Sequence, residues 1–282
     1  MSAITTKKHA NGLEYVNVDT PLCQARIFLQ GAQIEFFQPK NQAPLLWVSS
    51  ADDYQAGYGI RGGIPICWPW FGMHSNPDWP QHGFARTRIW DLTSTQILES
   101  GVELNFTLEL NEEDTRYWPH HTQIAIQFIL NNTLTVSLIN TNLSSNTVKL
   151  TQALHSYFPI TDITTLKAKG FEGAKYLEFG EGPFKQHNNE VVFNKETDRV
   201  YTELGQIQTL ETPEGIIEVS RKNSRSAVLW NPWIDKSQQL SRFNAEDYAS
   251  MVCLEAANVL EDAVILAPHE THTLTTQIRW KN

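Results

Sequence analysis

The chain has 282 residues, 41% of them hydrophobic, which is enough apolar material for a sizeable core and excludes intrinsic disorder. Its formal charge is −9, from 31 acidic against 22 basic residues with no Lys/Arg run. Binding of nucleic acid or of an anionic membrane through the overall field is thereby excluded, and any anionic ligand has to be held by a few placed cations.

In chain order, the start Met1-Ser2-Ala3-Ile4-Thr5-Thr6-Lys7-Lys8-His9 lacks the apolar stretch of a secretory signal. No uninterrupted apolar run approaches a membrane span. Strands are expected at 13–18, 25–29, 33–37 and 45–48, where apolar residues alternate or run briefly between turn signals. The next segment, from Gly57 to Gly72, breaks the pattern. Gly57, Gly59, Gly62 and Gly63 precede Ile64, and Pro65, Trp68, Pro69, Trp70 and Phe71 follow. Neither a regular strand nor a helix accommodates that run. Its glycines allow close backbone approach to a ligand and its aromatics supply a rigid wall, or the whole is a tightly packed loop.

Gln81-His82-Gly83-Phe84-Ala85-Arg86 comes next. A His and an Arg around a Gly suit an anion or a hydroxyl, and equally suit an ordinary surface segment. Strand 102–108 leads to the clearest hairpin. Ile124, Ile126, Phe128 and Leu130 share one face, and Leu134, Val136 and Leu138 answer them beyond the turn at Asn131-Asn132-Thr133. A strand over 147–154 runs on towards Phe158. Its alternation puts Val148, Leu150 and Leu154 on one face and Thr147, Lys149, Thr151, His155 and Tyr157 on the other. His155 is therefore not core filler.

Asp198, in Lys195-Glu196-Thr197-Asp198-Arg199, reads as a turn acid. Strands follow at 216–219 and 227–229, with one short helical stretch near 240–248. The apolar strand 252–254 ends on Glu255, which two alanines follow. A carboxylate in that setting either has a buried partner or exploits its own desolvation. The last strand spans 273–280. Many short strands without βαβ alternation point to an all-β fold, a large antiparallel β-sandwich, and no linker divides residues 1–282 into separate domains.

Cys23, Cys67 and Cys253 are odd in number and far apart, as suits reduced thiols and a cytoplasmic protein. No metal-ligand spacing, phosphate loop, dinucleotide fingerprint or nucleophile elbow is present, so no metal and no cofactor are expected.

Five segments together resemble the aldose 1-epimerase superfamily, in its hexose-6-phosphate mutarotase branch. They are Ile60-Arg61-Gly62-Gly63-Ile64-Pro65 with its Trp-Pro-Trp-Phe-Gly tail, His82-Gly83-Phe84-Ala85-Arg86, Leu154-His155-Ser156-Tyr157-Phe158, Thr197-Asp198-Arg199 and Cys253-Leu254-Glu255-Ala256. The resemblance implies a galactose mutarotase-like supersandwich that acts on a small-molecule sugar phosphate. It implies that His155 is the acid and Glu255 the base, and that Asp198 contacts sugar hydroxyls. It further implies that Arg61, Gln81 and Arg86 bind phosphate with His82 beside them. A monomer is compatible with this reading. Three alternatives stay open at this stage: a mutarotase for unphosphorylated aldoses, a non-catalytic carbohydrate-binding sandwich that displays some of the 9 tryptophans, and a glycosidase with Asp198 and Glu255 as paired carboxylates.

Overall fold

The alternation at 124–130 becomes a hairpin in which Thr122–Leu130 pairs with Leu134–Asn142, Leu130 opposite Leu134. It sits in a nine-stranded antiparallel sheet whose other members include Gly101–Leu108, Gly215–Lys222 and the long C-terminal strand Thr271–Lys281. The computed structural model describes residues 3–281. An eight-stranded sheet contains Thr197–Thr202, Ser226–Asn231, Met251–Asn258, Gln152–Leu154 and Ile66–Cys67 in that spatial order. The main core lies between these two sheets. Ile124, Ile126, Phe128, Val136 and Leu138 from the first pack with Ala227, Leu229, Val252, Leu254 and Ala256 from the second. A four-stranded antiparallel sheet, Ile4–Lys8 through Gln33–Pro39, adds Val16, Ile27, Ile34 and Phe37 to that core. The architecture is the large all-β sandwich expected. Among the described residues, no helix is long and apolar enough to cross a membrane. The three cysteines are buried and unbridged.

Three local expectations need correction. Residues 45–48 form no strand. Leu45 and Leu46 are both buried, and the backbone bonds go to separate elements: Leu45 N to Phe37 O and Trp47 N to Tyr157 O. A run with consecutive buried residues is a packed loop here. The expected strand 147–154 is two strands in two sheets. Val148–Leu150 pairs with Val264–Leu266, and Gln152–Leu154 pairs with Met251–Asn258. The break is at Thr151, whose N–H donates to Pro69 O at 3.2 Å and whose hydroxyl accepts from Phe71 N at 2.9 Å. The helical stretch at 240–248 is reduced to a 3-10 turn at its end, Asp247–Ser250. Asp247 instead accepts from Asn244 N at 2.9 Å and from the Ser49 hydroxyl at 2.6 Å. The helix lies upstream, at Trp233–Ser237.

Gly62, Gly63 and Gly83 approach the protein's own backbone rather than an open space, while Gly72 has nothing within 4 Å of its Cβ position. A Cβ on Gly83 would lie 1.9 Å from Trp68 O, at a φ of +70°. Gly62 and Gly63 meet the chain at Trp47–Val48 and Ile34–Glu35 in the same way. Gly57 also has a positive φ, +82°, but nothing lies within 4 Å of its Cβ position. Gly83→Ala is therefore expected to cost more than about 2 kcal/mol, and Gly57→Ala only the backbone strain of about 1 kcal/mol. Denaturant midpoints of the two variants measure the difference. Equal shifts would mean that the contact with Trp68 is easily relaxed.

Candidate active site

The strand Met251–Asn258 is buried along its whole length and serves two environments. Val252, Leu254 and Ala256 point into the main core, while Met251, Cys253 and Ala257 join separate clusters on the other face. Period-two alternation puts Glu255 on that second face. Register extends the face sideways. Asp198 is paired with Trp230, Trp230 with Cys253, and Cys253 with Tyr157, so these four form one rung across the sheet. Glu255 lies two residues further along its strand, opposite Val228.

His155 reaches the same place through a gap. Gln152–Leu154 and Tyr157–Pro159 both pair with Met251–Asn258, and residues 155–156 between them belong to neither strand. The main chain stays anchored there: His155 N donates to Pro65 O at 3.0 Å, and Leu254 N to Ser156 O at 3.2 Å. The His155 ring stacks on Tyr157 with centroids 4.7 Å apart and planes 8° apart. It meets Trp230 and His82 edge-on at 6.1 and 5.8 Å. His155 Nδ1 is 3.2 Å from Glu255 Oε1. The geometry is not that of a protein hydrogen bond, and both His155 Nδ1 and Glu255 Oε2 are buried without a hydrogen-bond partner.

Electrostatics push the two groups apart in pKa. Burial drives the Glu255 carboxyl well above the usual carboxylate range, Asp198 adds to the rise, and Arg86 opposes it. Burial drives the His155 imidazole well below its ordinary value, with further lowering from His82, Arg86 and Arg61. His82 is held down to about 3 by burial and then by Arg86 and Arg61. Asp198 is a half-buried strand residue rather than the turn acid expected, and desolvation raises its pKa against the pull of Lys236.

The cations come together around the glycine-rich segment. Arg61 Nη2 donates to the backbone oxygen of Ser241 at 3.4 Å, its charge acts on the neighbouring Tyr157, and its backbone N–H donates to Asp52 Oδ2 at 2.6 Å. Arg86 is packed against Gly59, where a Cβ would lie 3.1 Å from its Cδ. Its Nη2 donates to the backbone oxygen of Gln81 at 2.6 Å. Gln81 thus meets the cluster through its carbonyl, and the residue itself is exposed. His82 Nδ1 accepts from Gly72 N at 3.1 Å, which fixes its ring beside His155. Sequence reasoning missed Arg242, whose Nη1 donates to Gly59 O at 3.0 Å and lies 3.5 Å from Asp52 Oδ2. Nothing in its sequence neighbourhood marks it, since its place depends on a positive φ of 55°. Tyr157 was legible, because alternation puts it on the His155 face. Trp230 was not, because cross-strand register placed it.

Among the described residues, one set of three potential metal ligands comes together, His155, Cys253 and Glu255, with donor atoms within 4.8 Å of one another. Chain spacing hides this set, since the His lies far from the other two in sequence.

A family model described as aldose 1-epimerase matches residues 15–279. The chain belongs to the aldose 1-epimerase family. It is similar to an Escherichia coli K12 protein named "Putative glucose-6-phosphate 1-epimerase", 29% identical over 276 residues that cover 96% of this chain and 92% of the relative. A protein of the same name from Cenchrus ciliaris is 32% identical over 263 residues, covering 88% and 78%. A crystal structure from Salmonella typhimurium described as "a putative mutarotase" superposes with a TM-score of 0.92 at 27% identity, covering 99% of this chain and 94% of that one. As an aldose 1-epimerase family member, the protein is assigned to the interconversion of sugar anomers at C1.

Proposed function

We propose that the protein interconverts the α and β anomers of a hexose 6-phosphate, glucose 6-phosphate first, with His155 and Glu255 as the proton-transferring pair. The observation that carries this reading is the buried pair at 3.2 Å beside an arginine cluster. A binding module has no use for a desolvated carboxylate whose second oxygen is left unpartnered. The names of the relatives point to the same substrate.

Anomerisation removes the proton from the sugar O1 and delivers one to the ring oxygen. The C1–O5 bond breaks, the C1–C2 bond rotates, and closure on the other face gives the second anomer. Two proton carriers suffice. Carboxylate with imidazolium, and carboxylic acid with neutral imidazole, contain the same single proton and differ by one transfer across the pair. Burial favours the neutral arrangement in the empty site. A sugar hydroxyl that donates to the carboxylate draws the pair towards the charged one, with Glu255 as base and His155 as acid. In this reading Asp198 contacts the sugar hydroxyls, and Arg61 and Arg86 hold the phosphate.

The active form is thus the pair with one proton, and its pH window follows. Adding a second proton requires ionising His155, whose pKa is lowered; removing the first requires ionising Glu255, whose pKa is raised. The acid limb of kcat/KM, which reports the free protein, is expected below the ordinary imidazole value of about 6.5. The alkaline limb is expected far above the ordinary carboxylate value of about 4.3, and both apparent constants belong to the pair. A kcat/KM profile that falls already at or above pH ~6.5 on the acid side, beyond the titration of the substrate's own phosphate, would refute this assignment.

Exchange NMR on the two anomers of glucose 6-phosphate, compared with free glucose, tests the function directly. Acceleration of the phosphorylated sugar well above the free one is the expected result. Preference for free glucose would instead favour a mutarotase for unphosphorylated aldoses.

A further inference from the structure

Cys253 has no part in the proton chemistry, yet its side chain shares the site face with the reacting pair. It is fully buried, and burial with the neighbouring Glu255 keeps its thiol protonated when nothing is bound. We propose that His155, Cys253 and Glu255 form an inhibitory binding site for a thiophilic divalent cation, zinc being the chemical type. The location rests on the proposed active site, but the binding does not depend on the activity.

The geometry supports this at each ligand. A tetrahedral ion with bonds of about 2.0–2.3 Å holds its ligand atoms roughly 3.3–3.6 Å apart. His155 Nδ1 and Glu255 Oε1 are already 3.2 Å apart, close to one edge of such a tetrahedron. All three donors lie within 4.8 Å of one another, so a modest turn of the Cys253 side chain completes a face. The donor His155 Nδ1 is buried and unpartnered, as is Oε2, the second oxygen of the Glu255 carboxylate, with their residues 8% and 1% exposed. An ion satisfies groups that the fold leaves unsatisfied. One sulfur, one nitrogen and one oxygen donor select zinc, cobalt or cadmium over magnesium or calcium.

Charge decides how firmly such an ion is held. Arg86 and Arg61 repel it, as their effect on His155 shows. A thiolate and a carboxylate together neutralise its two charges, and Asp198 lies near the carboxylate. Binding releases two protons to solvent, one from the Cys253 thiol and one from the Glu255 carboxyl, so charge and atoms balance with no redox step. The bound ion occupies an imidazole nitrogen and a carboxylate oxygen, and its charge opposes protonation of the ring. Anomer exchange therefore stops.

The experiment is a titration of the whole protein with Co²⁺, followed by absorbance. The expected spectrum has a thiolate-to-cobalt charge-transfer band and intense tetrahedral ligand-field bands. Cys253→Ser and Cys253→Ala should each abolish the charge-transfer band while exchanging anomers as the parent does. They should also weaken inhibition by Zn²⁺ by more than about tenfold, since even outer partners of metal ligands are worth that much. Glucose 6-phosphate should displace the cobalt, and Mg²⁺ should not compete. No charge-transfer band in the parent, or one that survives in both Cys253 variants, overturns the proposal. Zinc inhibition that is unchanged in these variants also overturns it, because the ion then binds through the protein's other histidines. The spectrum reads binding even if the protein proves inactive on sugar phosphates, so failure of the proposed function and failure of the metal site are told apart.

Discussion

Glu255→Gln and His155→Ala are each expected to lower anomer exchange by roughly 10²–10⁴-fold, the range that positioned proton transfer contributes. Neither change should unfold the protein. Leu254 and Ala256, the neighbours of Glu255, still fill the core, and the main chain at 155–156 is anchored by its own hydrogen bonds. Circular dichroism and the thermal midpoint check this independently of rate. Glu255→Gln has a second expected effect. The folded-state pKa of Glu255 lies above its unfolded value, so the stability tied to its proton is present below about 4.3 and lost as pH climbs towards the folded pKa. The glutamine variant lacks that loss and should melt above the parent at neutral pH. A folded variant that exchanges anomers at the parent rate would remove its residue from the mechanism. A glutamine variant that melts below the parent would mean that the carboxylate is better satisfied than its unpartnered oxygen indicates.

Arg61→Ala and Arg86→Ala should each weaken productive binding of the phosphorylated sugar by about ten- to a hundred-fold. One charge-assisted contact is worth roughly 1.5–3 kcal/mol. Slow turnover of free glucose should barely change, because that substrate has no group to lose. The comparison of kcat/KM for both sugars is the measurement. Equal losses on both would assign the arginines to the fold or to the C1 site. Arg61 carries the greater structural risk, since its guanidinium also reaches Ser241 O at 3.4 Å and its charge acts on Tyr157, which stacks on His155. Arg86→Ala, whose guanidinium hydrogen-bonds only to the Gln81 carbonyl among the described residues, is the cleaner probe.

Much of this was legible in the sequence because period-two alternation assigns faces without knowing partners. It put His155 and Tyr157 together, while the apolar run before Glu255 and the alanines after it marked a desolvated carboxylate. Alternation fails where the chain leaves the sheet. The break at Thr151, the buried loop at 45–48 and the turns around Asn244 depend on side-chain hydrogen bonds to distant backbone, which have no local signature. Register was likewise invisible. Asp198 looked like a turn acid until pairing set it on the same rung as Trp230, Cys253 and Tyr157. The glycine-rich segment misled in another way. Its glycines were as well explained by approach to a ligand as by approach to the chain itself, and Gly62 and Gly63 do the latter.

The arginines at the glycine-rich segment and the chain's charge of −9 have opposite signs and act over different ranges. The overall repulsion acts on an approaching sugar phosphate from afar and is cut off beyond about 10 Å at 0.1 M salt. The arginine contacts work at hydrogen-bond distance from half-buried side chains and are screened far less. Added salt therefore relieves the repulsion before it weakens the grip. Capture of the anion should be fastest at intermediate ionic strength, the reverse of the steady decline shown by proteins that attract their ligands through a net opposite charge.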